Sequence, residues 1–178
     1  MEKNELPLVT IIIPTYNRFD YLLNALDSAK NQTYLNTEII VVNDRSTQEE
    51  YYSYDYPGCI IVHLDKNSKE RFGHASPGGY QRNVGMRLGT GKYYAFLDDD
   101  DCWMPDKIEK QVMGLLKNPG AKMSCTDAYW GRGVFLPMNT SNYVLYNKQK
   151  YFGTLKSIYK RKQKDHLFPD AETGGFPK

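Results

Sequence analysis

Hydrophobic positions along the chain fall into short unbroken runs separated by amphipathic stretches. Residues 9–13 (VTIII), 39–42 (IIVV) and 60–62 (IIV) are dense in β-branched side chains and carry no charge. A strand covered on both faces has no reason to alternate apolar with polar, so these runs predict buried strands of a parallel sheet. Residues 93–97 (YYAFL) and 123–129 (MSCTDAY) supply a fourth and a fifth expected strand. Between the first two runs, Leu22, Ala25, Leu26 and Ala29 recur at helical spacing on one face, with Asn17 placed as N-cap and Asp20 three residues on. Residues 105–117 predict another helix, with Pro105 at its first position and Ile108, Val112, Leu115 and Leu116 turned inward. A further helical segment opens at Gly78-Gly79 and runs towards Gly89. Strand and helix alternate, which with right-handed crossovers predicts an α/β fold, a mostly parallel central sheet flanked by helices. The pattern fades after residue 130, where Gly131, Gly133 and Pro137 interrupt it and 154–161 suits a strand or a helix equally.

Composition narrows the class. With 40 % hydrophobic and 25 % charged residues the chain is ordinary globular protein, not a disordered, collagen-like or coiled-coil sequence. The net charge of +2 is too balanced for a wholesale polyanion binder, so a nucleic-acid partner is not expected. No apolar run approaches the ~18 residues of a membrane span, and MEKNELPLV is not a secretory signal. Cys59, Cys102 and Cys125 are odd in number, far apart and without a CxxC spacing. They read as reduced thiols, and the expected location is cytoplasmic. Residues 148–164 hold seven basic residues and no acid. Such a run is either a solvated face or a contact with an anionic membrane surface, where each cation is worth ~1 kcal/mol.

Ligands of open α/β sheets bind beyond the carboxyl ends of the strands. The first run leads into Pro14-Thr15-Tyr16-Asn17-Arg18, the second into Asn43-Asp44-Arg45-Ser46, the fourth into Asp98-Asp99-Asp100-Asp101. Four successive carboxylates beside a buried strand repel one another and call for compensation. A hard cation such as Mn²⁺ or Mg²⁺, which takes one or two protein carboxylates together with phosphate oxygens, would provide it. A solvated acidic turn before the next helix is the alternative. Tyr16 and Arg18 are a stacking platform and a phosphate ligand, or plain turn residues; Asp44 accepts from a base or ribose, or caps a turn. Gly78 and Gly79 permit close approach of a ligand, and Arg82 is within reach of a diphosphate.

Together these segments resemble a family 2 glycosyltransferase of the GT-A type. VTIIIPTYNR is similar to that family's opening strand and nucleotide turn, EIIVVNDRST to its second strand and acidic turn, and YQRNVGMRLGTGKYYAFLDDDDCWMPDKI to the stretch bearing its DxD motif. The one departure is Asn43-Asp44-Arg45, where the family usually shows Asp-Asp-Gly. The resemblance implies a metal-dependent, inverting transfer of a sugar from a nucleoside-diphosphate donor, a UDP-sugar by preference, to a hydroxyl of a glycan, lipid-linked or protein acceptor. It implies that Pro14, Thr15, Tyr16 and Asp44 hold the nucleobase end and that Arg18 and Arg82 lie near ribose or diphosphate. Asp98 and Asp99 would contact ribose and sugar, and Asp100 the Mn²⁺ or Mg²⁺.

The same resemblance makes residues 1–117 the donor-binding half and 118–178 a shortened acceptor-side segment of one domain. It also implies a general base, an Asp shortly after a Gly-Gly-Phe-like turn. This sequence reaches Gly174-Gly175-Phe176 and ends at Lys178, so the base is expected to be missing, with Asp170 and Glu172 as the candidates to substitute. A donor-binding module without transfer, or a fragment of a longer enzyme, is therefore the alternative reading. A sugar nucleotidyltransferase is not, because it needs a Gly-rich basic loop where PTYNR stands. A chain shortened in this way would expose apolar surface, for which a homodimer is one remedy.

Overall fold

The computed structural model describes residues 6–74, 78–126, 129–130 and 144–145. Contacts divide the chain into two compact units, Met1–Pro105 and Asp106–Lys178.

The first unit is built on a four-stranded parallel sheet of order β3-β2-β1-β4, with β1 Val9–Thr15, β2 Thr37–Asn43, β3 Ile60–His63 and β4 Tyr93–Phe96. The two charge-free runs became its centre. Every residue of β1 is buried, and Ile39, Ile40, Val41 and Val42 of β2 are buried with it. The pairing of β1 with β2 is in register from Val9–Thr37 to Thr15–Asn43, which brings both strand ends to one level. Pro14 breaks no β1–β4 bond, because that ladder ends at Ile12. The third run differs from expectation. β3 is an edge strand, so Ile60 is 47 % exposed instead of covered on both faces.

Helix α1 (Phe19–Lys30) buries Phe19, Leu22, Ala25, Leu26 and Ala29, the face that the spacing predicts. Its cap does not match. Asn17 is not the N-cap: it takes a left-handed φ of 52°, and its side-chain oxygen accepts from Thr47 N at 2.7 Å. Arg18 occupies the cap position, and Asp20 falls in the first turn. Two short helices, α2 (Glu50–Ser53) and α3 (Ser68–Phe72), follow β2 and β3. Helix α4 (Gly79–Leu88) then packs on β1 and β2. Its Gly85 lies so close to the sheet that a Cβ there would stand 2.6 Å from Ile12 Cγ2. Below the sheet's amino end, the Glu38 carboxylate receives Thr10 Oγ1 at 2.5 Å, Thr90 N at 2.6 Å and Gly91 N at 3.1 Å, tying the turn before β4 to β1 and β2.

The second unit contains α5 (Lys107–Lys117), which buries Ile108 and Val112 one turn apart. Pro105 stands two residues before that helix, not at its first position, and Leu116 is 40 % exposed. Residues 123–126 form no strand; the strand in this region, β5 (Tyr129–Trp130), pairs antiparallel with β6 (Val144–Leu145) in a separate two-stranded sheet. The basic run 148–164, the ambiguous 154–161, Asp170, Glu172 and the Gly174-Gly175-Phe176 turn lie outside the described residues.

Candidate active site

A cleft of about 650 Å³ opens beyond the carboxyl ends of the parallel strands. Its wall contains every donor residue that the sequence singles out: Pro14, Thr15, Tyr16 and Arg18 after β1, Asp44 after β2, Arg82 on α4, and Asp98, Asp99 and Asp100 after β4. The structure thus collects residues from four separate segments within one unit.

The β1 turn is fixed from behind. Thr15 O accepts from Asp44 N at 2.9 Å, so the two strand ends are stitched together. Tyr51 of α2, fully buried, brings its hydroxyl to 2.7 Å from Thr15 Oγ1 and accepts from Arg18 N at 2.9 Å. Asn17 N donates to Ser46 Oγ at 2.9 Å, and the left-handed step at Asn17 leaves Tyr16 projecting, 46 % exposed, over the cleft. An exposed aromatic held by a pinned backbone is a ready stacking surface.

Asp44 is buried and fully engaged. Ser68 N donates to its Oδ1 at 2.9 Å and Ser68 Oγ to its Oδ2 at 2.7 Å, while Asn67 Nδ2 donates to its backbone carbonyl at 3.0 Å. Each carboxylate oxygen keeps a second lone pair, so Asp44 remains a fixed acceptor aimed from a rigid frame. Asn43, which stands where the resembling family has a carboxylate, accepts from Ser46 N at 2.9 Å, and its amide nitrogen lies 3.0 Å from His63 Nδ1. Loss of hydration pulls the His63 pKa down, in keeping with a neutral ring accepting that amide N–H.

The acidic turn is divided by environment. Asp99 is buried and receives Tyr16 N and Arg18 Nη1, each at 3.4 Å. Burial nevertheless pushes its carboxyl up, against the opposing pull of Thr15 and Arg18. Asp98 and Asp100 face outward and are half exposed. Asp98 is ion-paired with Arg82, and Asp100 with Arg18 at 2.6 Å. Asp101 donates its N–H to Asp98 O at 3.1 Å, closing the turn, and its side chain is outside the cleft wall. Loss of hydration and then repulsion from Asp100, Asp98 and Asp99 push the Asp101 carboxyl up. Among the described residues no three acidic, histidine or cysteine side chains converge as a cation cage. The donor set fits a Mn²⁺ or Mg²⁺ all the same, because such ions take one or two carboxylates and complete their shell with phosphate oxygens and water. The two outward carboxylates, each half exposed at the cleft, are of that kind.

Sequence reasoning missed one wall of the cleft. Asn67, Ser68 and Lys69 line it from the start of α3, where Asn67 caps the helix by accepting from Lys69 N at 2.8 Å. Asn67 followed three residues later by Glu70 is a helix-start signal that was available in the sequence.

Comparison with known proteins places the chain in a family. The family model described as glycosyl transferase family 2 matches residues 10–171. An uncharacterized glycosyltransferase of Rickettsia prowazekii is 44 % identical over 112 residues, covering 62 % of this chain and 33 % of that protein. A candidate teichuronic acid biosynthesis glycosyltransferase of Bacillus subtilis, TuaG, is 32 % identical over 131 residues, 70 % of this chain and 46 % of that one. The chain spans less than half the length of each of these curated relatives. Among solved structures, Staphylococcus aureus TarS 1-349 in complex with UDP-GlcNAc aligns with a TM-score of 0.52 at 26 % identity, over 72 % of this chain and 37 % of that chain. The same protein with UDP aligns with a TM-score of 0.52 at 25 % identity, over 72 % and 38 %.

Proposed function

The chain belongs to glycosyl transferase family 2 and has its GT-A type of fold; from that premise we propose that it binds a nucleoside-diphosphate sugar, a UDP-sugar by preference, and moves the sugar with inversion to an acceptor hydroxyl. The observation that carries this reading is the single cleft in which Tyr16, Asp44, Arg18, Arg82 and three carboxylates of the acidic turn meet. The UDP and UDP-GlcNAc complexes of TarS support the uracil nucleotide.

In this reading Tyr16 stacks on the base, and Asp44, immobilised by Ser68, accepts a base N–H. Asp99 accepts from the ribose, Asp98 from ribose or sugar. Arg18 and Arg82 exchange their carboxylate partners for diphosphate oxygens. Asp100 would then be free to hold a Mn²⁺ or Mg²⁺, whose chemistry when bound would be to offset charge on the leaving diphosphate. The acceptor oxygen forms its bond to the anomeric carbon as the bond to the diphosphate breaks, and its proton goes to a base. The base candidates Asp170 and Glu172 lie outside the described residues. A donor-binding module that carries out no transfer is the second reading. The acceptor is a glycan, a lipid-linked saccharide or a protein hydroxyl. The basic run 148–164 would serve a membrane-borne acceptor, and a liposome sedimentation assay without salt-sensitive binding would remove that part. No helix of the described residues is long and apolar enough to cross a membrane.

Calorimetric titration with UDP, GDP, CDP and dTDP, each with Mn²⁺ and with EDTA, on the wild type and Asp100→Ala, tests the donor site. One nucleotide is expected to bind, only with metal, and to lose that binding in the variant. Metal-dependent binding without hydrolysis or transfer of the matching nucleotide sugar would favour the module; no metal-dependent binding would refute the donor site.

A further inference from the structure

Gln81 lines the cleft, and the donor reading supplies it no task. It sits on α4 at 3 % exposure. Its Oε1 is buried and has no hydrogen-bond partner among the described residues. The other buried polar groups of this wall are matched, Asp44 by Ser68 and Thr15 by Tyr51. Buried acceptors in folded proteins are almost always satisfied, so an orphan on a cleft wall calls for a partner, and a ligand in the cleft could supply one.

The helix geometry says which part of a ligand is near. Gly85 marks the face of α4 that lies on Ile12 of β1. Gln81 is four residues earlier, on the same face, one turn nearer the amino end of the helix. That turn reaches the carboxyl ends of β1 and β2, so Gln81 shares the wall with Pro14 and Asp44. An amide oxygen needs an N–H or O–H partner. Ionised phosphate oxygens carry neither and would repel it, whereas a nucleoside carries both, N–H groups on the base and hydroxyls on the ribose.

We infer that Gln81 is a nucleoside-binding residue of the donor site, whose side-chain oxygen accepts a hydrogen bond from a base N–H or a ribose hydroxyl. The inference rests on the donor-site reading above and adds to it a second fixed acceptor beside Asp44. A cleft with two acceptors at this end selects nucleosides by the donor groups they present.

The test is calorimetry with Mn²⁺ on the wild type, Gln81→Met and Gln81→Asn, using UDP, N3-methyl-UDP, 2′-deoxy-UDP and 3′-deoxy-UDP. Methionine keeps the length and removes the acceptor; asparagine keeps the amide and withdraws it by one methylene. Both are expected to weaken UDP about tenfold, the scale of one lost hydrogen bond. The analogue lacking the group that Gln81 engages should lose little further affinity in Gln81→Met, which separates base from ribose. In the absence of nucleotide, the melting temperature of Gln81→Met should equal or exceed the wild type, because an orphaned acceptor has been removed; a structural residue would lower it. UDP affinity within twofold of wild type in both variants would overturn the inference, as would an equal loss for all four ligands. If the wild type binds none of UDP, GDP, CDP and dTDP, the donor-site reading itself fails, an outcome visible before any variant is made.

Discussion

Replacing Tyr51 by phenylalanine removes a single oxygen from behind the cleft. The ring would stay, edge-on to Phe19 with centroids 5.2 Å apart. The hydroxyl that is lost accepts from Arg18 N at 2.9 Å, which leaves its own proton free for Thr15 Oγ1 at 2.7 Å, and Thr15 in turn hydrogen-bonds Asp99. Tyr51→Phe therefore strands one backbone donor and one half of a buried hydroxyl. A buried polar group left unmatched costs about 1–3 kcal/mol. Arg18 is partly solvated and Thr15 keeps Asp99, so the sum belongs near the lower end, about 2 kcal/mol for the pair. For a chain of this length each kcal/mol moves Tm by about 2–4 °C, giving an expected fall of about 4–8 °C. Thermal unfolding of the nucleotide-free proteins reads this directly. Affinity for UDP with Mn²⁺ should also fall, because Tyr16, Arg18 and Asp99 lose their common support. A Tm within about 1 °C of the wild type would refute the reasoning, since a fully buried hydroxyl serving two partners cannot be that cheap to remove.

Other perturbations test other parts of the frame. Gly91→Ala would set a Cβ 2.6 Å from Thr10 N, a backbone atom that cannot step aside, and should cost about 2–3 kcal/mol in urea unfolding. Gly114→Ala, where a Cβ meets nothing within 4 Å inside α5, should instead add about 0.5–1 kcal/mol. Arg45→Gly relieves a non-glycine residue held at φ 57° and should stabilise by about 0.5–1 kcal/mol, less whatever its bond to the Asp65 carbonyl contributes; a lower urea midpoint would contradict this. For Glu38, burial opposes ionisation, but the bonds from Thr10, Thr90 and Gly91 together outweigh it and hold the carboxyl below its usual value of 4.5. The unfolded chain then binds the proton more readily, so this stabilisation is complete above about pH 4.5 and is lost as pH falls through the lower folded value. Urea midpoints between pH 6 and pH 3 should drop less steeply in Glu38→Gln than in the wild type.

The centre of the sheet was plain in the sequence because residues buried on both faces leave one unambiguous mark, a run of β-branched side chains without charge. The edge was less plain. Residues 60–62 carry the same mark as β2, yet pairing on one side only leaves Ile60 exposed, and no local pattern distinguishes an edge from a centre. Residues 123–126, mostly small and polar, lack such a mark and form no strand, while Tyr129 at the end of the expected run begins β5. Asn17 shows a limit of another kind. The short side chain that suits asparagine to an N-cap also suits it to a left-handed turn, and here the partner that decided between them, Thr47, lies thirty positions away. The cleft residues after β1, β2 and β4 were legible because they follow strands directly, whereas Arg82 lies on α4 and stood out only beside the Gly78-Gly79 opening. Asn67, Ser68 and Lys69 were overlooked because α3, at five residues, is too short to show a period. Tyr51, one of fifteen tyrosines, had nothing local to set it apart.

The strand order also fixes when the cleft can exist. β1, the first strand of the chain, lies between β2 and β4, and the bond from Tyr16 N to Asp99 joins residues 83 positions apart. A chain made from its amino end can pair β1, β2 and β3 before β4 has been synthesised. The side of the cleft bearing Tyr16 and Asp44 would then stand alone until the acidic turn arrives, and closing so long an interval is a slow step. A ligand gripping both sides can meet only the finished unit, never the nascent three-stranded sheet. It would act as a clasp over the last joint to close, and by mass action it would hold that joint against reopening.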